Sequence, residues 1–82
     1  MNRIVAMALA EALNDEAGCD VKFRDSYSGR GMHGQDTCAI SGEFSWCDVA
    51  VAWAYCCTAN DSFRPDDLGF TWDAMGHGTV IY

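Results

Sequence analysis

Between Ser45 and Ala59 the chain carries a single charged side chain, Asp48, in a run otherwise dominated by alanine, valine, tryptophan and cysteine. Local signals make this run a helix. Ser45 is an N-cap residue, and Asp48, three positions on, answers it in a shortened capping box. Phe44 and Val49 then fall on the two hydrophobic-staple positions. A helix over 46–59 with so little polar face is expected to be buried on more than one side, either within its own domain or against a partner such as a second copy. The rest of the chain must therefore supply cover for it.

That cover has to come from one domain, because 82 residues leave no room for a second core. Half of the residues are hydrophobic and 12% are aromatic, which excludes disorder across 1–82. Met1, Ile4, Val5, Ala8, Leu9, Ala12 and Leu13 recur at i, i+3, i+4 spacing and predict a helix from Asn2 to Glu16, stopped by Gly18. In "DVKFRDS" (Asp20–Ser26) Val21 and Phe23 alternate with Lys22 and Arg24, the pattern of a strand with one wet face. "QDTCAISG" (Gln35–Gly42) is a second strand with Cys38 and Ile40 on one side, so "SYSGRGMHG" between them is a hairpin connection. Asn60–Asp67 is a polar loop holding the single proline. Leu68–Asp73 and Thr79–Tyr82 follow as two strands joined by "AMGHG", with Phe70 and Trp72 directed to the core. The expected fold is α+β: a two-layer αββαββ domain, with a four-stranded antiparallel sheet and two helices on one face.

Twelve carboxylates against five basic side chains give a net charge of −7. Free DNA or RNA is repelled by such a chain, and so is an anionic membrane surface. The first apolar stretch is too short to span a bilayer. A basic protein surface is attracted, although acidity of this kind also simply keeps small proteins soluble. The acids fall in two sets: Glu11, Asp15, Glu16 and Asp20 around the end of the first helix, and Asp61, Asp66, Asp67 and Asp73 after the second. If the two sets share a face, they form a negative stripe resembling the phosphates of a duplex. The five cysteines are an odd number with no regular framework, and no export signal is visible. Reduced thiols in a cytoplasm are expected.

Constellations for catalysis or cofactors are weak. The glycines at 29, 31 and 34 are followed by a strand and no lysine, which excludes a phosphate cradle; they suit positive φ in a hairpin. Arg30 between them either pairs with a carboxylate of its own chain or is displayed to a partner, with Tyr27 at the same tip. His33 and His77 with Cys38 or Asp73 lack metal-site spacing, so no metal or cofactor is expected. Cys38 or Cys47 with either histidine is the kind of pairing any chain with this many cysteines offers. Cys56 and Cys57 read as small hydrophobes. Asp66 and Asp67 read as solvated loop acids rather than an acid–base pair. Phe63 beside Arg64 has no core assignment and, if exposed, suits a contact hot spot.

"YSGRGM" (Tyr27–Met32) and the D-x-MG-x-G-x-V-x-Y pattern formed by Asp73, Met75, Gly76, Gly78, Val80 and Tyr82 resemble motifs of small bacteriophage and prophage proteins. The resemblance implies a phage or mobile-element origin. By size and charge it extends to inhibitors of host defence, including anti-CRISPR proteins, and it brings no functional residue with it. The expected function is a non-enzymatic inhibitor in the bacterial cytoplasm, binding a host nucleic-acid-handling complex through an acidic, DNA-mimic-like surface. Its contact residues are then Asp61, Asp66, Asp67, Glu11, Asp15, Tyr27, Arg30 and Phe63. The alternative is a structural or regulatory homodimer joined through the second helix at Trp46, Trp53 and Tyr55.

Overall fold

Residues 1–27, 37–75 and 78–82 are described by a computed structural model. Two helices and a four-stranded antiparallel sheet make up the domain: α1 (Arg3–Asp15), β1 (Asp20–Tyr27), β2 (Thr37–Glu43), α2 (Trp46–Ala59), β3 (Trp72–Met75) and β4 (Gly78–Ile81). The sheet order is β1-β2-β4-β3, so the second strand of each hairpin is central and the two hairpins meet antiparallel. Both helices cover one face, as the αββαββ pattern predicts.

Both helices form where their local signals put them. The Asn2 side chain caps α1 by accepting from the amides of Ile4 and Val5, and Gly18, with φ +71°, turns the chain out of it. In α2 the reciprocal box is complete. Ser45 Oγ accepts from the Asp48 amide at 3.3 Å, and Asp48 Oδ2 accepts from the Ser45 amide at 2.8 Å. Phe44 and Val49, the staple pair, are both buried.

The core lies between the helices and the sheet. Leu9 and Leu13 of α1 meet Ile40 of β2 and Ile81 of β4, all four fully buried; Val49, Ala52, Trp53 and Cys56 close it from α2. Strand parity agrees: Phe23 pairs with Ile40 and Ile40 with Ile81 on the helix side, while Lys22 and Arg24 point to water. Ile4 departs from its expected place in the stripe and is exposed, whereas Ala6 and Ala10 are buried in its stead. The buried arc of α1 is therefore rotated toward its alanines, whose small side chains let the helix lie close to its neighbours. Asn14 adds a polar clamp: its amide accepts from Val21 N at 2.8 Å and donates to Val21 O at 3.2 Å, tying α1 to the outer edge of β1.

The third strand begins later than expected. Leu68–Asp73 reads as a strand by composition, yet pairing runs over Trp72–Met75, with Ala74 opposite Thr79 and Met75 opposite Gly78. Leu68 and Phe70 pack against the core from irregular backbone instead. The loop before them contains a short 3-10 turn, Pro65–Asp67, held to α2 by Trp53 Nε1 donating to the Pro65 carbonyl at 3.2 Å.

Candidate partner-binding site

The domain itself supplies α2 with only one of the two covered sides expected of it. Its inner side is covered, but the outer side is open. Trp46 is 61% exposed, Val51 55% and Tyr55 47%, and Cys47, Ala50 and Ala54 between them are exposed as well. Trp53, expected at a dimer contact, is buried in the core. Trp46 is held although exposed: its ring stacks on Trp72 at 4.8 Å and 12°, and lies 5.2 Å from Phe70. Trp46, Ala50, Ala54, Pro65, Leu68 and Phe70 line a groove of about 410 Å³ with an almost wholly apolar wall.

On the other flank of α2, Tyr55 helps line a groove of about 290 Å³ against α1, together with Glu11, Asp15, Glu16 and Phe63. Phe63 also lines an adjoining groove with Ile4, Val5, Ser62 and Asp67, so the two meet at its ring. Among the described residues lining these grooves, none is lysine or arginine. Glu11, Asp15 and Glu16 come together because positions 11 and 15 stand one turn apart on the solvent side of α1 and 16 follows at its end.

The remaining expected contact residues are distributed as follows. Asp61 and Asp66 are exposed but line neither groove, and Asp67 spends one carboxylate oxygen on the Arg64 amide at 2.9 Å. Phe63, which the sequence leaves without a core assignment, is half-buried with its ring 5.3 Å from Trp53; the indole draws in what composition places in a polar loop. Tyr27 closes β1 by pairing with Thr37. Arg30, His33 and His77 lie outside the described residues. Not all acids gather on one side: Asp20, Glu43 and Asp48 line a separate cavity with Arg24, and Asp25 pairs with Arg3, whose guanidinium also stands 5.6 Å from the Phe23 ring.

The thiols are all free. Burial pushes the Cys19 thiol up, and the Asp48 carboxylate beside it pushes the same way, so this pair opposes a thiolate. Cys56 is likewise raised by burial and by Cys57, with its sulfur 3.5 Å from the Ala8 carbonyl. The Asp48 carboxyl is held below its usual range by the Ser45 amide first and the Ser45 hydroxyl second. Among the described residues no three ligand-type side chains converge as a metal site, and no helix is long and apolar enough to cross a membrane.

What the arrangement offers is an acidic groove beside an open apolar helix face. No known protein family, curated protein or solved structure matches this chain, so its reading rests on those side chains.

Proposed function

We propose that this protein is a non-enzymatic binding protein of phage type that occupies a basic, nucleic-acid-handling surface of a bacterial host complex, such as a CRISPR effector. The observation that carries the reading is the groove lined by Glu11, Asp15 and Glu16, with no lysine or arginine among its described lining residues, in a chain of net charge −7. Three carboxylates on one helix end present a local negative field that free nucleic acid avoids and a positively charged channel attracts. In this reading the acidic surface centres on these three residues; Asp67 lines the adjoining groove with Asn2, Ile4 and Val5, and Asp61 and Asp66 stand as outlying acids that add to the field. The compartment in this reading is the cytoplasm of the host.

The test is inhibition of target-DNA binding by purified CRISPR effectors and other nucleic-acid-handling complexes, measured with wild type and with the triple variant Glu11→Lys/Asp15→Lys/Glu16→Lys. Inhibition that weakens with salt and disappears in the variant is expected. Equal inhibition by the two proteins, or none by either, refutes the reading.

A further inference from the structure

Charge alone leaves the outer face of α2 without a role. An exposed stack of Trp46 on Trp72, followed along the helix by Ala50, Val51, Ala54 and Tyr55, is more apolar surface than solubility calls for in so acidic a chain. This face is continuous with both grooves. Trp46 rims the apolar one, and Tyr55 lines the one that holds Glu11, Asp15 and Glu16. Apolar strip and acidic strip therefore run side by side.

We propose that the partner meets this surface with an amphipathic helix whose apolar stripe is bordered by lysine and arginine. Its apolar residues lie along α2 and into the Trp46–Phe70 groove, while its cations lie over Glu11, Asp15 and Glu16. This rests on the reading of the carboxylate groove as the partner-binding site and adds the form of the partner. The dimensions suit it. From Trp46 to Thr58 the face is about 18 Å long, which matches about three turns of a partner helix offering side chains at i, i+3 or i+4, and i+7.

Charge selects this occupant over a second copy. Two copies bring −7 each. If their α2 helices pair antiparallel about a two-fold axis, the same flank of each lies side by side, which sets Glu11, Asp15 and Glu16 of one copy against those of the other. A cationic amphipathic helix meets the same flank with opposite charge.

The test uses two labelled peptides of identical leucine and lysine composition and about 18 residues, enough for several helical turns. One segregates the two residue types onto opposite helix faces, and the other is scrambled. Binding is read by fluorescence anisotropy at low and high salt, with wild type, Val51→Asn/Tyr55→Asn and Glu11→Gln/Asp15→Asn/Glu16→Gln; circular dichroism confirms that both variants are folded. The segregated peptide is expected to bind wild type about tenfold more tightly than the scrambled one. That advantage persists at high salt and is lost in Val51→Asn/Tyr55→Asn. Equal binding of the two peptides, abolished by neutralising the carboxylates, overturns the helix proposal while leaving the acidic groove as a charge-only site. Absence of binding by either peptide overturns both. Sedimentation equilibrium showing a dimer that Val51→Asn/Tyr55→Asn dissociates assigns the face to a second copy and overturns the proposal.

Discussion

Adding one methyl group at Gly42 tests the sheet at its tightest point. Gly42 lies in β2 opposite both Val21 of β1 and Thr79 of β4. A Cβ there would stand 2.6 Å from the Asp20 carbonyl oxygen, 2.9 Å from Val21 Cγ1 and 3.0 Å from Val21 Cα. Comfortable carbon contacts begin near about 3.5 Å, and two of these three neighbours are backbone atoms that no rotamer change can move. β1 must therefore shift as a unit. Overpacking of this kind costs about 1–3 kcal/mol, and backbone opposition places Gly42→Ala at the upper end, about 3 kcal/mol. A domain of this size is stable by about 4–12 kcal/mol in all. With 4–8 °C lost per kcal/mol, the melting temperature falls by about 12–24 °C. Two other glycines calibrate the result. Gly69 has open space around its Cβ position, so Gly69→Ala is neutral or stabilising by up to about 1 kcal/mol. Gly18 is equally open but has φ +71°, so Gly18→Ala costs about 1–2 kcal/mol through backbone strain alone. Thermal and urea unfolding followed by circular dichroism separates the three. A Gly42→Ala protein as stable as Gly69→Ala refutes the close approach of β1 to β2.

Four further outcomes follow from the packing, the caps and the thiols. Leu9→Ala empties a fully buried site and lowers urea-unfolding stability by about 2–5 kcal/mol, whereas Ile4→Ala on the same helix changes it by less than about 0.5 kcal/mol; a large loss at Ile4 contradicts the rotated arc of α1. Ser45→Ala removes the α2 cap at a cost of about 1 kcal/mol. Because the Asp48 carboxyl is lowered in the folded state, its stabilisation is present above the ordinary carboxylate range and lost as pH falls through the lower folded value; Asp48→Asn should flatten that acid limb in melts recorded against pH. Alkylation at mildly alkaline pH, mapped by mass spectrometry, modifies exposed Cys47 first and leaves Cys56 protected until urea unfolds the chain; early labelling of Cys56 contradicts its burial.

Local signals carried most of the fold. Asn2, Ser45 and Asp48 fix helix starts through hydrogen bonds to residues a few positions away, Gly18 turns the chain out of α1 through its positive φ, and α1 and α2 begin and end within a residue of where the sequence places them. The first strand pair is equally legible, since Val21 and Phe23 alternate with Lys22 and Arg24 and Ile40 falls on the same side as Cys38. β3 is not, because Leu68 and Phe70 look like strand residues by type but are used as packing against α2. Whether a hydrophobe pairs in a ladder or plugs a groove is a tertiary outcome. The same limit governs the site. Clustering of Glu11, Asp15 and Glu16 follows from helical spacing. Their company with Tyr55 and Phe63 depends on how α2 packs on α1, and the openness of α2's outer face is likewise a tertiary outcome, since none of the described residues reaches round to cover it. The near-absence of charge from 46–59, with Asp48 the single exception, marked that helix as unusual without saying which side would stay bare.

The Asn14 clamp on Val21 has a meaning beyond holding α1 in place. A terminal strand normally leaves its outward amides and carbonyls available as a template on which another chain can grow. At Val21 both groups are already taken by one asparagine side chain, in the geometry an added strand would use. An incoming strand in register with β1 would have to evict that amide, so this rim of the sheet is guarded against cross-molecular fibre growth by a residue that belongs to a helix.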